Sequence, residues 1–196
     1  MRQELITTIK QAVATTKTLI PLPRLLAFIE VESGGRGFGD TGKLILQYEP
    51  LVFSKATGIP RSTLNKYKWD ENTVDVQSKE WEAFNEAFSI NPEEAMKSTS
   101  WGLPQIMGFN HKQAGYASVG DMLDDFKRGE LNQVCALIRF IEGSSKLYKA
   151  IMAADYETCA YVYNGTGHAQ LAKRLGVKPY PDKLKEAEAK YKNMKL

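Results

Sequence analysis

Four consecutive residues, Glu32-Ser33-Gly34-Gly35, carry the first chemistry of this chain. Leu25, Phe28 and Ile29 lie seven, four and three residues before Glu32, so its carboxyl leaves a largely apolar helix face beside a sharp exit. Desolvation raises a carboxyl pKa, and the negative end of a helix dipole acts in the same direction. A carboxylic acid kept protonated near neutral pH suits a glycosidase general acid. Glycines after it let backbone approach a substrate and let the next loop form one wall of a cleft. An ordinary helix C-terminus with a glycine stop has the same residues. Glu30 competes for the acid role because Leu26 and Ala27 give it apolar neighbours as well. The helical wheel leaves that choice open.

A glycosidase usually uses a second carboxylate, and its distance from the first distinguishes retention from inversion. Asp40 and Glu49 are the nearby candidates, Glu49 standing at the end of the apolar run 44–48. Two later segments could bind sugar. Residues 98–108 read Ser-Thr-Ser-Trp-Gly-Leu-Pro-Gln-Ile-Met-Gly, a Trp beside a Gly in a segment expected to be a loop between helices. Aromatic faces stack on sugar rings, and the Gln105 amide offers a donor and an acceptor to hydroxyl or N-acetyl groups. Tyr161-Val162-Tyr163-Asn164-Gly165 ends a helix and could present aromatic and amide groups. Asn164-Gly165-Thr166 matches a glycosylation sequon by chance. A core Trp and a plain Asn-Gly helix cap are the simpler readings of these two segments.

The elements that must hold these residues are mostly helical. Leu5, Ile6, Ile9, Ala12 and Val13 recur at helical spacing in a first amphipathic helix. Pro21 and Pro23 open a second, from Arg24 to about Glu32, with a glycine where a left-handed cap belongs. Five glycines in residues 34–42 lead to a short strand over 44–48. Residues 56–75 read as an irregular excursion. Trp81, Phe84 and Phe88 mark the next helix. Asn91-Pro92 opens a short one, and Ser118 with Asp121 forms a capping box. Leu131, Val134, Cys135, Ile138 and Ile141 form the most apolar helix, and residues 144–153, 155–163 and 181–192 complete the set. The expectation is an α+β fold, predominantly α-helical, with one small β element after the Gly-rich loop. No linker is evident, so residues 1–196 read as a single domain without a separate wall-binding module.

The chain has 196 residues, 43% hydrophobic and 25% charged, which excludes wholesale disorder. No apolar run is long enough to span a membrane, and the first residues do not resemble a secretory signal. Two cysteines make no disulfide framework, and two histidines make a His-rich metal site improbable. Eight Lys or Arg stand against three acids from residue 170 onward, a net +5 that leaves −2 for the rest of a chain totalling +3. A basic end suits a polyanionic partner such as an anionic wall polymer or lipid surface, or is simply a solvated helix face. No helix-turn-helix or zinc signature supports a nucleic-acid partner.

Together, Glu32-Ser33-Gly34-Gly35, residues 46–49, Ser100-Trp101-Gly102 with Gln105-Ile106-Met107-Gly108, and Tyr163-Asn164-Gly165 resemble, in that order, the N-acetylmuramidase family of phage and prophage endolysins. That family belongs to the wider lysozyme-like superfamily. The resemblance runs from about residue 22 to residue 191. Residues 100–109 are its most specific block, whereas the Glu-Ser-Gly-Gly element is shared with goose-type lysozymes and lytic transglycosylases.

The resemblance implies a lysozyme-like fold and cleavage of the β-1,4 bond between N-acetylmuramic acid and N-acetylglucosamine. It selects Glu32 over Glu30 as the catalytic acid. Tyr48-Glu49 stands where members carry Phe-Glu, which makes Glu49 the second carboxylate. Tyr48, Trp101, Gln105, Met107, Tyr163, Asn164 and Gly165 become the expected saccharide-binding residues. Pro104 replaces a frequent aromatic, and Pro50 follows Glu49 where Arg is common. No metal or cofactor is implied. The expected partner is bacterial peptidoglycan, met by a monomer, with the basic C-terminal helix holding an anionic wall or outer-membrane surface and no nucleic acid involved. Synthesis in the cytoplasm and action at the wall after release follow as expectations. The rivals are a lytic transglycosylase, which needs one Glu, and a non-catalytic saccharide-binding phage component on the same fold.

Overall fold

The computed structural model describes residues 1–64, 76–165 and 167–194. The chain forms two compact units: residues 1–35 with 130–196, and residues 36–129. It passes from one to the other at Gly35/Arg36 and at Gly129/Glu130.

The first unit is wholly helical among its described residues. α1 (Gln3–Thr16) buries Leu5, Ile6, Ile9 and Ala12 and packs on α7 (Glu130–Glu142), whose Val134, Leu137, Ile138 and Ile141 are fully buried. α2 (Leu22–Ser33) has Pro23 in its first turn, where a missing N–H costs nothing. Its five consecutive residues Leu25, Leu26, Ala27, Phe28 and Ile29 are all at 0% exposure, so protein surrounds it on nearly every side. Each Leu, Ile or Phe buried this way stabilises the fold by roughly 1.5–3 kcal/mol. The main neighbour of α2 is α11 (Tyr180–Lys192), which contributes Leu184 and Tyr191. α8 (Ser145–Ala153), α9 (Tyr156–Asn164) and α10 (His168–Leu175) complete the unit.

One polar cluster fixes α2 near its start. Arg24 Nε donates to Glu188 Oε1 at 2.7 Å, and its NH1 donates to the carbonyls of Ile151 and Met152 at 2.8 and 2.6 Å. The Tyr156 hydroxyl donates to Glu188 Oε2 at 2.6 Å, and Lys192 lies 3.0 Å from Glu188. Burial pushes the Glu188 carboxyl upward, but donation from Tyr156, Arg24 and Lys192 outweighs it and holds the carboxyl below its usual range. One guanidinium therefore ties α2 to the end of α8 and to α11.

The second unit holds the sheet. β1 (Leu46–Tyr48) pairs antiparallel with β2 (Thr99–Trp101), and β2 with β3 (Ile106–Met107). Gln47 faces Ser100 across the first ladder, and Trp101 faces Ile106 across the second. α3 (Pro50–Thr57) follows β1 directly. α4 (Gln77–Ile90) then serves the outer edge of β1 with side chains in place of a strand. Gln77 accepts from Leu46 N–H at 2.9 Å and donates to its carbonyl at 3.0 Å. Glu80 accepts from Tyr48 N–H at 2.9 Å, and Trp81 Nε1 donates to the Leu44 carbonyl at 3.2 Å. An edge that would otherwise expose unpaired backbone is thereby closed. α5 (Pro92–Lys97) is capped by Asn91, and α6 (Val119–Lys127) by the reciprocal Ser118–Asp121 box.

The predominantly helical α+β expectation is borne out, and so are the Asn91 and Ser118 caps. Three features differ from the sequence reading. Residues 99–107 form a β-hairpin where a loop was expected. α3 and α10 were not foreseen, α3 covering the first residues of the supposed excursion. α2 begins at Leu22, two residues early. Residues 65–75 of that excursion lie outside the described residues. Among the described residues no helix is long and apolar enough to cross a membrane, and no group of His, Cys, Asp or Glu could hold a metal ion. Cys135 and Cys159 form no disulfide, and burial, more than Asp155, pushes the Cys159 thiol up to about 12.

Candidate active site

α2 ends where Gly34 adopts φ +61 and donates its N–H to the Glu30 carbonyl. An L side chain there would be strained, so glycine allows the chain to turn away immediately after Glu32 and Ser33. Glu32 keeps part of its surface accessible. Its surroundings nevertheless come from aromatic side chains brought by α9 and α11. The Phe28 ring meets the Tyr163 ring edge-on at 5.3 Å and 74°, and the Tyr180 ring at 6.3 Å and 80°. Phe140 closes on the far side of Tyr163 at 5.5 Å.

The Tyr180 hydroxyl donates to Glu32 Oε1. Burial raises the Glu32 carboxyl from 4.5 to about 7, against the smaller opposing pulls of the Tyr180 hydrogen bond and the Lys183 charge. The hydroxyls of Tyr163 and Tyr180 are pushed well above their usual value, by burial first and by the Glu32 charge second. Both remain proton donors wherever Glu32 titrates.

Glu30, the rival on the same helix, has an opposite environment. Lys190 Nζ lies 2.9 Å from each of its carboxylate oxygens, and the Tyr191 hydroxyl donates to Oε2. Burial works upward on Glu30, but Tyr191 and Lys190 together hold its pKa below the usual value. Glu30 is an ionised anchor for α11, while Glu32 is a carboxyl that holds its proton to near neutrality. The helical wheel could not separate the two.

In the second unit Glu49 stands between β1 and Pro50, the first residue of α3. Its N–H donates to the Ser98 carbonyl at 2.9 Å, and Gln47 Nε2 donates to its Oε1 at 3.0 Å. Its side chain makes no capping bond to α3. Burial, then the nearby charge of Glu80, raises its pKa to about 6, with Gln47 pulling back. Glu80 is only 1% exposed, and the sequence reading had assigned it no role. Asp40, the other candidate, is exposed.

The N-acetylmuramidase family model matches residues 21–192. The chain belongs to the N-acetylmuramidase family. Membership makes it a peptidoglycan hydrolase of the glycosidase type, and the helical α+β architecture is the lysozyme-like one. A similar solved structure is that of the Burkholderia AP3 phage endolysin, with a TM-score of 0.74 at 26% identity, covering 95% of this chain and 70% of that one. No curated protein matches the chain.

The site residues expected from sequence fall into two sets, one in each unit of this muramidase. Glu32, Tyr163, Asn164 and Gly165 come together in the first unit. Asn164 closes α9, and Gly165 follows with φ +80 and ψ −179, a conformation that is essentially glycine's alone. Tyr48, Glu49, Trp101, Gln105 and Met107 lie in the second.

Two of these five, Trp101 and Tyr48, are core residues. Trp101 is 2% exposed. Its N–H donates to the Met96 carbonyl at 2.9 Å, and Trp81 and Phe84 pack against it edge-on at 6.0 and 5.1 Å. Tyr48 is 1% exposed and packs on Phe53. Rings enclosed in this way offer no open face to a sugar. Gln105 and Met107 remain partly accessible. Gln105 sits at φ +50 and donates its side-chain amide to the Gly102 carbonyl at 2.8 Å, shaping the hairpin turn that also buries Pro104. Met107 Sδ accepts from the Ser100 hydroxyl. Gly108 is needed for space: a Cβ there would fall 2.1 Å from the Met96 carbonyl oxygen. Much of the specific 100–109 block is therefore hairpin architecture.

The sequence reading missed Tyr180. It is 148 residues from Glu32, and no local pattern signals such a contact. The basic tail also looks different once folded. Lys178, Lys190 and Lys192 pair with Glu186, Glu30 and Glu188, while Lys185 is exposed and Lys195 lies outside the described residues.

Proposed function

We propose that this muramidase cleaves the β-1,4 bond between N-acetylmuramic acid and N-acetylglucosamine, with Glu32 as general acid and Glu49 as second carboxylate. The observation that carries the reading is the Glu32 carboxyl, raised to about 7 at the end of a rigid helix and engaged by Tyr180. At the working pH such a group still holds a proton to give to the leaving glycosidic oxygen. Glu49, raised only to about 6, loses its proton first. As a carboxylate it can activate the attacking water or stabilise the oxocarbenium-like centre. Two carboxyl groups with separated pKa values divide the acid and base roles. Action at the cell wall follows from the substrate, and the exposed Lys185 is the side chain with which to test attraction to its anionic polymers.

The test is digestion of purified peptidoglycan by the wild type, Glu32→Gln and Glu49→Gln, with the soluble fragments weighed by mass spectrometry. Reducible muramic acid ends that vanish in Glu32→Gln are the expected result. Products one water lighter, with activity surviving in Glu49→Gln, would move the protein to the transglycosylases. No wild-type products would leave a saccharide-binding protein on a lysozyme-like fold.

A further inference from the structure

Gln47 stands in the middle of β1, two residues before Glu49, and alternate residues of an extended chain point to the same side. Gln47 faces Ser100 on β2, and Ser100 faces Met107 on β3, so the three side chains form a row across one face of the sheet. Leu46, Tyr48, Trp101 and Ile106 lie on the other face and are buried. Within the row the Ser100 hydroxyl donates to Met107 Sδ at 2.9 Å, whereas Gln47 turns the other way and donates from Nε2 to Glu49 Oε1 at 3.0 Å. Gln47 and Glu49 are both partly accessible. The backbone beneath them is fixed at four points. Gln77 holds both the N–H and the carbonyl of Leu46, Glu80 accepts from Tyr48 N–H, and Glu49 N–H donates to the Ser98 carbonyl. What such a backbone leaves undetermined is rotation of the Glu49 carboxylate about its last bond, a torsion without sharp staggered wells.

We propose that Gln47 is a positioning residue for Glu49: its amide N–H holds Oε1, stops that rotation and reserves Oε2 for the attacking water. The proposal rests on the reading of Glu49 as the second carboxylate. The Gln47 amide serves in one orientation only, because its oxygen would repel a carboxylate that its NH2 group attracts. Among the described residues no other side chain hydrogen-bonds the Glu49 carboxyl. In the chemical step the water oxygen bonds to the anomeric carbon and its proton passes to Oε2. The departing glycosidic oxygen takes the Glu32 proton as its own bond to that carbon breaks. An Oε2 already aimed at the water needs no reorientation during this step, so the contribution of Gln47 is read in kcat and not in KM.

The experiment compares Gln47→Met, Gln47→Glu and Glu49→Gln with the full-length wild type, each shown folded by circular dichroism. It measures kcat and KM on solubilised peptidoglycan chains. In parallel, the Glu49 side-chain carboxyl is titrated by carbon-13 NMR without substrate, assigned by its loss in Glu49→Gln. Gln47→Met keeps the length and removes the donor. It should lower kcat about 10-fold, the scale of one hydrogen bond to a charged group, with KM little changed. Glu49 should titrate at higher pH, while Glu80 on α4, the charged group that acts on it, stays the same in every variant. The loss in kcat should exceed the fall in ionised Glu49 that the new midpoint gives, because orientation is lost as well. Gln47→Glu keeps the length but sets one carboxylate against another, and should lower kcat further. A raised KM with kcat unmoved in Gln47→Met would make Gln47 a saccharide contact and overturn the proposal. So would a kcat loss no larger than the ionised fraction explains, or no change in either constant. Full activity in Glu49→Gln would remove the second-carboxylate reading and the proposal with it. A midpoint still raised in Gln47→Met would then show that the failure lies in the role of Glu49 and not in its bond to Gln47, since the midpoint is read without turnover.

Discussion

A carboxyl held near pKa 7 for chemistry carries a cost in stability, and Glu32→Gln should recover it. The folded value is about 7 against 4.5 in the unfolded chain. The native state therefore binds the Glu32 proton more tightly than the unfolded state. Stability contributed by this group is fully present below the unfolded value and falls as pH rises toward the folded one, at about 1.4 kcal/mol per pH unit. Across the window from 4.5 to about 7 the loss is about 3 kcal/mol. Glutamine has no charge to desolvate, and its amide oxygen still accepts from Tyr180. Urea unfolding followed by far-UV circular dichroism should show Glu32→Gln and wild type equally stable near pH 4. Near pH 8 the variant should lead by about 3 kcal/mol. For a chain of this size that is a rise of roughly 6–12 °C in Tm. A gain of the same size at every pH would point to packing and refute the electrostatic reasoning, and a loss at pH 8 would refute the desolvation.

The other expectations are briefer. The kcat/KM profile of the wild type should be bell-shaped, rising as Glu49 ionises near 6 and falling as Glu32 ionises near 7, and Glu49→Gln should lose the acidic limb from any residual activity. A wild-type profile flat below 6 would remove Glu49 from the mechanism. Glu30→Gln should keep peptidoglycan digestion while losing stability at neutral pH. Its depressed pKa contributes stability that is present above the unfolded value and lost as pH falls through the folded one, so the deficit should shrink in acid denaturation curves. Arg24→Met leaves Glu188 buried without its guanidinium and should cost about 3–5 kcal/mol, more at neutral than at acid pH, in equilibrium unfolding. Trp101→Ala should cost about 3–5 kcal/mol of stability while the folded fraction keeps its KM for peptidoglycan chains; a raised KM without lost stability would restore it as a sugar platform.

What could be read in the sequence was what depends on near neighbours. Asn91-Pro92, Ser118 with Asp121, and Glu32 before its glycines are local signals, and each stands where the sequence placed it. α3 was overlooked because Glu49-Pro50 was read as a strand end, although Pro at the first helical position is itself a start signal. The β2–β3 hairpin is three residues against two, too short for period-two alternation to register. β1 is completed by side chains of α4 some thirty residues onward, which no strand pattern announces. At the site, Glu32 was legible as a candidate, but its separation from Glu30 rests on Lys190 and Tyr191, 160 and 161 residues away. The burial of Trp101 is likewise decided by Trp81 and Phe84, so aromatic character alone could not distinguish a platform from a core residue.

Glu30 and Glu32 show how one helix can supply both an anchor and an acid. They stand two residues apart on α2, with the same intrinsic chemistry and the same helix dipole acting on both. Tyrosine meets each of them, Tyr191 at Glu30 and Tyr180 at Glu32. A neutral hydroxyl therefore does not separate their behaviour. The difference is the ammonium: Lys190 touches both oxygens of Glu30, while Lys183 acts on Glu32 only as a weaker, more distant charge, against a desolvation that it does not overcome. A contact ion pair at Glu32 would have given a more stable helix end and an acid without its proton at neutral pH. At the opposite end of α2, Arg24 pairs with Glu188 and holds two carbonyls of α8. The cost of desolvating an ionised Glu32 is thus met in a helix tied to its neighbours at Arg24 and again at Glu30.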